Sequence, residues 1–194
     1  MIRLEGVSLS FGDKVVLDNF SLTLPEGGVT VLSGPSGCGK TTVLRLLAGL
    51  EVPDSGRISG IDPRRTAFLF QEDRLLPHRT AAQQLMDVLP HQRRDEVSHW
   101  LELAELTGEE DTLPRQLSGG MCRRLAFVRA IALGGDVYLL DEPFTGIDPA
   151  RRLRLMSALK QLDAPVILVS HEQEVAEMAD HVIRLDGPPL CVAK

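Results

Sequence analysis

Ser33-Gly34-Pro35-Ser36-Gly37-Cys38-Gly39-Lys40-Thr41-Thr42 is a glycine-rich turn joining two differently patterned segments. Upstream, Val29–Ser33 is a short apolar run of strand type, and downstream Val43–Leu50 carries a helical pattern. Between them the spacing Gly34-x-x-x-x-Gly39-Lys40-Thr41 is that of a Walker A phosphate loop. Glycine lets backbone N–H groups turn inward around a phosphate where a side chain would clash. The positive charge of Lys40 can reach the β- and γ-phosphates. The Thr41 hydroxyl suits Mg²⁺, and the helix that opens there aims its positive dipole end at the anion.

The strand-loop-helix pattern repeats along the chain. Val137–Leu140 and Val166–Ser170 are further continuous Val/Ile/Leu runs, of the kind buried on both faces of a parallel sheet. Ala150–Leu162 and Glu172–Ala179 read as helices. The fold class expected is therefore α/β, with phosphate chemistry at the carboxyl ends of the strands. Two regions depart from this pattern. Leu4–Phe11 and Lys14–Leu24 flank a Gly12-Asp13 turn and read as an antiparallel hairpin. Residues 72–118 show no convincing strand, and helical patterns near Ala81–Leu89 and Asp95–Leu106 predict a helical insertion. The 194 residues are expected to form one domain, with that insertion inside it.

Composition excludes several classes. A net charge of −6 and an aromatic content of 4% argue against nucleic-acid binding, which favours basic faces and stacking rings. No run of about 18 apolar residues is present to span a membrane, and Met1–Val7 lacks the apolar centre of a signal peptide. Cys38, Cys122 and Cys191 are odd in number and far apart, without metal-ligand spacing, which fits a reducing compartment.

The run Val137-Tyr138-Leu139-Leu140-Asp141-Glu142 delivers two carboxylates where a strand ends. Asp141 suits the water shell of Mg²⁺, as a Walker B aspartate does, and Glu142 points elsewhere and can polarise a water. Taken alone, the same run could be a strand ending in a solvated acidic turn. Leu117-Ser118-Gly119-Gly120-Met121 adds a serine hydroxyl and two glycines opening a helix over Cys122–Leu133, a second anion-binding N-terminus. One rigid monomer cannot bring both such ends to one nucleotide.

With the loop at Gly34–Thr41, this signature makes the chain resemble the ATP-binding cassette (ABC) transporter ATPases over essentially its whole length. The resemblance implies a RecA-like P-loop NTPase core with a small antiparallel β portion and an inserted α-helical subdomain. Two cassettes are then expected to pack head-to-tail, as a homodimer or with a paired ABC subunit. In that arrangement Ser118, Gly119 and Gly120 of one close the ATP site of the other. Gly34, Pro35, Ser36, Gly37, Cys38, Gly39, Lys40, Thr41 and Thr42 would hold the nucleotide, and Thr41, Gln71 and Asp141 the Mg²⁺. By the same resemblance Gln71 is the Q-loop glutamine, His171 the switch histidine at the γ-phosphate, and Asp148 the D-loop aspartate linking the two sites. Lys40, Gln71, Glu142 and His171 are the expected catalytic set. Phe11 stands where the family stacks a ring on adenine, although strand packing would use the same residue.

Phe70–Thr80 looks most like the nitrate, sulfonate and taurine importer cassettes, as does Met121 followed by Arg123 and Arg124. His78 stands where that group often has tryptophan, and Thr145-Gly146-Ile147 replaces the commoner Ser-Ala-Leu. The implied protein is a peripheral ATPase on the cytoplasmic face of the cell membrane. It would drive a separate integral membrane permease, with a separate solute-binding protein. Leu75, Leu76 and Pro77 are the expected permease contact, or else core of the helical insertion. The alternative function is a non-transport cassette, such as a cell-division or envelope mechanotransmitter or a soluble assembly ATPase.

Overall fold

The computed structural model describes residues 1–193 and divides into two compact units. The first unit comprises Met1–Phe68, Gly135–Glu142 and the chain from Leu162 onward. It contains both sheets, apart from Leu69 at the end of one strand. A six-stranded sheet has the order β5 (Thr66–Leu69), β6 (Val137–Asp141), β7 (Val166–Val169), β3 (Val29–Ser33), β8 (His181–Asp186) and β9 (Cys191–Val192). β3 runs parallel to β7 and β8, and β6 parallel to β7, whereas β9 is antiparallel to β8. Every residue of β6 and β7 is buried, which is why those stretches are unbroken apolar runs rather than alternating ones.

A second, three-stranded antiparallel sheet has the order β2 (Lys14–Leu24), β1 (Ile2–Phe11) and β4 (Ser55–Ser59). Phe11 pairs with Lys14 across the two-residue turn expected at Gly12-Asp13. A register shift between Leu4 and Val7 explains why Ile2 and Leu4, then Val7 and Leu9, are all buried. Strict alternation would turn one pair outward, and a bulge restores it. These side chains share one core with α1 (Lys40–Leu47), β6, β7 and Leu185 of β8. α6 (Gln173–Met178) also belongs to this unit.

The second unit comprises Leu69–Gly134 and Pro143–Gln161. It is helical: α2 (Ala81–Met86), α3 (Val97–Leu103), α4 (Gly119–Leu133) and α5 (Pro149–Lys160). α2 opens with a reciprocal capping box, in which Thr80 and Gln83 satisfy each other's backbone N–H groups. Leu85, Leu101, Leu106, Leu125, Phe127 and Phe144 are fully buried, and the last two rings lie 5.9 Å apart.

Several boundaries differ from the sequence expectation. α1 begins at Lys40 rather than Val43, because Gly39 (φ 119°) turns the chain directly into the helix. α4 begins at Gly119 rather than Cys122, capped by Ser118. The pattern over Asp95–Leu106 divides into a tight 3₁₀ turn over His91–Glu96 and then α3. No helix of the described residues is long and apolar enough to cross a membrane.

Candidate active site

In the first unit, the carboxyl ends of β3, β6 and β7 bring together residues from three distant parts of the sequence. The loop after β3 leaves Pro35, Ser36 and Gly37 exposed and Cys38 buried. Gly37 (φ 80°) and Gly39 (φ 119°) adopt backbone angles that other residues resist. Gly34 is needed for another reason: a Cβ there would lie 2.1 Å from the Leu185 carbonyl oxygen of β8. Lys40 is 6% exposed, and its Nζ donates to the carbonyls of Gly34 and Pro35, each at 2.8 Å. Its ammonium is thus held inside the loop where a phosphate would be surrounded.

Thr41 Oγ1 donates to Asp141 Oδ1 at 3.1 Å. Asp141 is 2% exposed at the end of β6. The hydroxyl and the carboxylate are hard oxygen donors placed side by side, a set that fits Mg²⁺. Among the described residues no group of three or more His, Cys, Asp and Glu is arranged to hold a metal. Cys38, Cys122 and Cys191 are free.

Glu142 follows at φ 48°, a left-handed conformation that a glutamate rarely adopts, and its amide donates to the Val169 carbonyl of β7. The two neighbouring carboxylates have different partners, Thr41 for Asp141 and His171 for Glu142. Its Oε1 lies 3.0 Å from His171 Nδ1, beyond the end of β7. That hydrogen bond and the negative charge of Glu142 raise the His171 pKa above the ordinary histidine value. Phe11 ends β1 with 47% of its surface exposed. Thr42 is half-buried on α1.

The second unit carries the other expected residues. Gln71 is exposed just beyond β5. Ser118 and Gly119 are exposed at the start of α4, where Ser118 Oγ accepts from the Met121 amide at 3.3 Å. Leu76 is 48% exposed, Pro77 is exposed and Leu75 is half-buried, so this stretch is not core. Asp148 caps α5. Its Oδ2 lies 2.6 Å from Arg151 Nη1, while Arg151 Nε reaches Glu105 at 2.7 Å. The Arg151 hydrogen bonds hold the Asp148 carboxyl below its usual range. Sequence reading did not single out Arg151, although its i, i+3 spacing from an N-cap aspartate was a usable signal.

A family model described as ABC transporter matches residues 17–145. Among curated proteins, the chain is 41% identical to the aliphatic sulfonates import ATP-binding protein SsuB 1 of Nocardia farcinica, over 95% of this chain and 78% of that protein. It is 38% identical to the sulfate/thiosulfate import ATP-binding protein CysA of Vibrio vulnificus, over 94% of this chain and 60% of that protein. Among solved structures, a post-hydrolysis dimer of the ATP-binding cassette MJ0796, bound to ADP and Pi, superposes with a TM-score of 0.83 at 27% identity. That match covers 100% of this chain and 99% of the other.

Proposed function

Because the chain belongs to the ABC transporter family, we propose that it is the ATP-hydrolysing subunit of an importer for a small oxyanionic solute of the sulfonate or sulfate type, acting on a separate membrane permease. Its similarity to import ATP-binding proteins decides against a cell-division mechanotransmitter or a soluble assembly ATPase. The same likeness implies a working place on the cytoplasmic side of the membrane. The observation that carries the chemistry is the pairing of Thr41 with Asp141 beside the pairing of Glu142 with His171.

In this reading the loop from Gly34 to Thr42, through its backbone N–H groups (Pro35 has none), and the Lys40 ammonium bind the phosphates of ATP, and the exposed ring of Phe11 takes the adenine face. Thr41 and Asp141 would hold Mg²⁺, which supplies charge neutralisation at the β- and γ-phosphates. Glu142 polarises the attacking water. His171 contacts the γ-phosphate and orients Glu142 through their shared hydrogen bond. Gln71 would be a further ligand to that metal and a contact for the water, as the family resemblance implies. Ser118, Gly119 and Gly120 serve a second copy of the chain, with Asp148 linking the two sites, and the exposed Leu76-Pro77 stretch faces the permease.

The test is affinity capture of the Glu142→Gln variant, with ATP and Mg²⁺, from gently solubilised membranes of the native host, followed by mass spectrometry. A multi-spanning permease, with a solute-binding protein in the same assembly, is expected. Leu76→Asp in the same background should lose the permease and keep ATP. Recovery of soluble partners alone would overturn the import reading.

A further inference from the structure

We propose that Arg123 is a positioning residue for ATP hydrolysis, acting by fixing the backbone of Gln71 to α4, the helix capped by Ser118. The inference rests on the reading of Gln71 as the residue that meets Mg²⁺ and the attacking water.

Arg123 lies early in α4, yet it is only 5% exposed. A guanidinium is seldom buried so far unless its protons are taken up by acceptors. Arg123 Nη1 lies 2.9 Å from the Phe70 carbonyl, 3.1 Å from the Gln71 carbonyl and 3.2 Å from Asp73 Oδ1. Lower on the same helix, Arg129 Nη2 donates to the carbonyls of Asp73 and Arg74, each at 3.0 Å. Four of the five loop residues 70–74 thus hang from one helix by charge-assisted bonds. The loop is closed on itself by the Arg74 guanidinium, stacked 3.6 Å from the centre of the Phe70 ring. Residues 70–74 belong to no strand, so these bonds take the place of a ladder in setting where Gln71 stands.

The consequence is mechanical. α4 carries Ser118-Gly119-Gly120 at its start and Arg123 a turn later, so any shift of that start is passed to the Gln71 backbone without an intervening flexible joint. Arginine is needed because a single group must reach two carbonyls and a carboxylate. All three contacts fall on Nη1, whose two protons are shared among them, and the rigid guanidinium fixes where that nitrogen stands; a lysine ammonium, one atom nearer the backbone and free to rotate, would not be held at the same point.

The experiment is a double-mutant cycle in steady-state ATP hydrolysis on the purified protein, with melting temperature recorded for each variant. Arg123→Lys should cut kcat by about tenfold or more, the scale of a small misplacement of a reacting group, and leave the KM for ATP within about twofold. In a Gln71→Ala background the same change should add nothing, because the residue it positions is gone. Losses that multiply in the double variant, or an unchanged kcat in Arg123→Lys, would overturn the proposal while leaving Gln71 in its role. A Gln71→Ala variant of normal kcat would instead remove that role, and the inference with it. Should Arg123→Lys fail to fold, Asp73→Asn carries the same cycle: it removes the charge that anchors Nη1 from a side chain 30% exposed, and the same pattern is expected at smaller size.

Discussion

Glu142 is held by three things at once: a left-handed backbone at φ 48°, an amide bond to the Val169 carbonyl, and a hydrogen bond to His171. A non-glycine residue in that region costs about 1–3 kcal/mol, and the surrounding sheet ends enforce it. The Glu142 carboxylate meets His171 while that of Asp141 meets Thr41, which in the proposed function gives the two neighbouring carboxylates separate tasks, one toward water and one toward metal. Glu142→Gln keeps the shape and removes the charge proposed to polarise the attacking water. Turnover should fall about 100-fold or more with ATP still bound, measured by phosphate release alongside nucleotide retention. Near-normal release would remove Glu142 from catalysis. The same variant also tests the histidine. His171 titrates above its ordinary value chiefly because Glu142 accepts its hydrogen bond. A raised folded-state pKa contributes stability that is complete below the unfolded value of about 6.5 and is lost as pH rises through the folded one. The His171 side chain is 65% exposed, so solvent screens most of that contribution and the pKa itself is the better readout. In Glu142→Gln the His171 midpoint, followed by NMR, should move down toward the ordinary value. An unmoved midpoint would mean that the pair does not persist in solution.

At the scale of elements, the loop after β3 is packed from below by β8, and Gly34 is the point of contact. A Cβ placed 2.1 Å from the Leu185 carbonyl must displace backbone on one side or the other. Gly34→Ala is therefore expected to cost about 3 kcal/mol or more and to weaken nucleotide binding. It would be read as a fall in melting temperature of roughly 6–12 °C for a chain of this size. An unchanged melting temperature would show that the loop can slide off β8. This contact also marks where sequence reading stops. β3, β6 and β7 were legible because burial on both faces leaves continuous Val/Ile/Leu runs. β8 was not, since four of its six residues are exposed and only Leu185 is buried. β4 offered no apolar alternation at all. The loop, Asp141, Glu142 and Ser118–Gly120 were legible as local strings. The Glu142–His171 bond and the hold of Arg123 on the Gln71 carbonyl were not, because each joins residues dozens of positions apart through tertiary packing.

For the molecule as a whole, the informative residue is one that its own fold does not need. Gly119 opens α4 as its first residue, its φ lies outside the left-handed region, and a Cβ there would meet nothing within 4 Å. Within one chain any small residue would serve, and glycine in a helix costs about 0.5–1 kcal/mol relative to alanine. The fold of one chain thus leaves the absence of a side chain unexplained, and the proposed function supplies a reason, a phosphate held by a second copy at this exposed helix start. Gly119→Asp separates the two demands. An aspartate in the first turn favours the helix dipole, by about 0.3–1 kcal/mol, so the melting temperature should hold or rise. The same carboxylate repels a phosphate. In a Glu142→Gln background with ATP and Mg²⁺, size-exclusion chromatography with light scattering should show about twice the 21.3 kDa chain mass. Adding Gly119→Asp should return it to the monomer while each chain still binds ATP. A dimer that survives the added charge would mean that the exposed start of α4 does not face a partner's nucleotide, and that the two copies meet through some other surface.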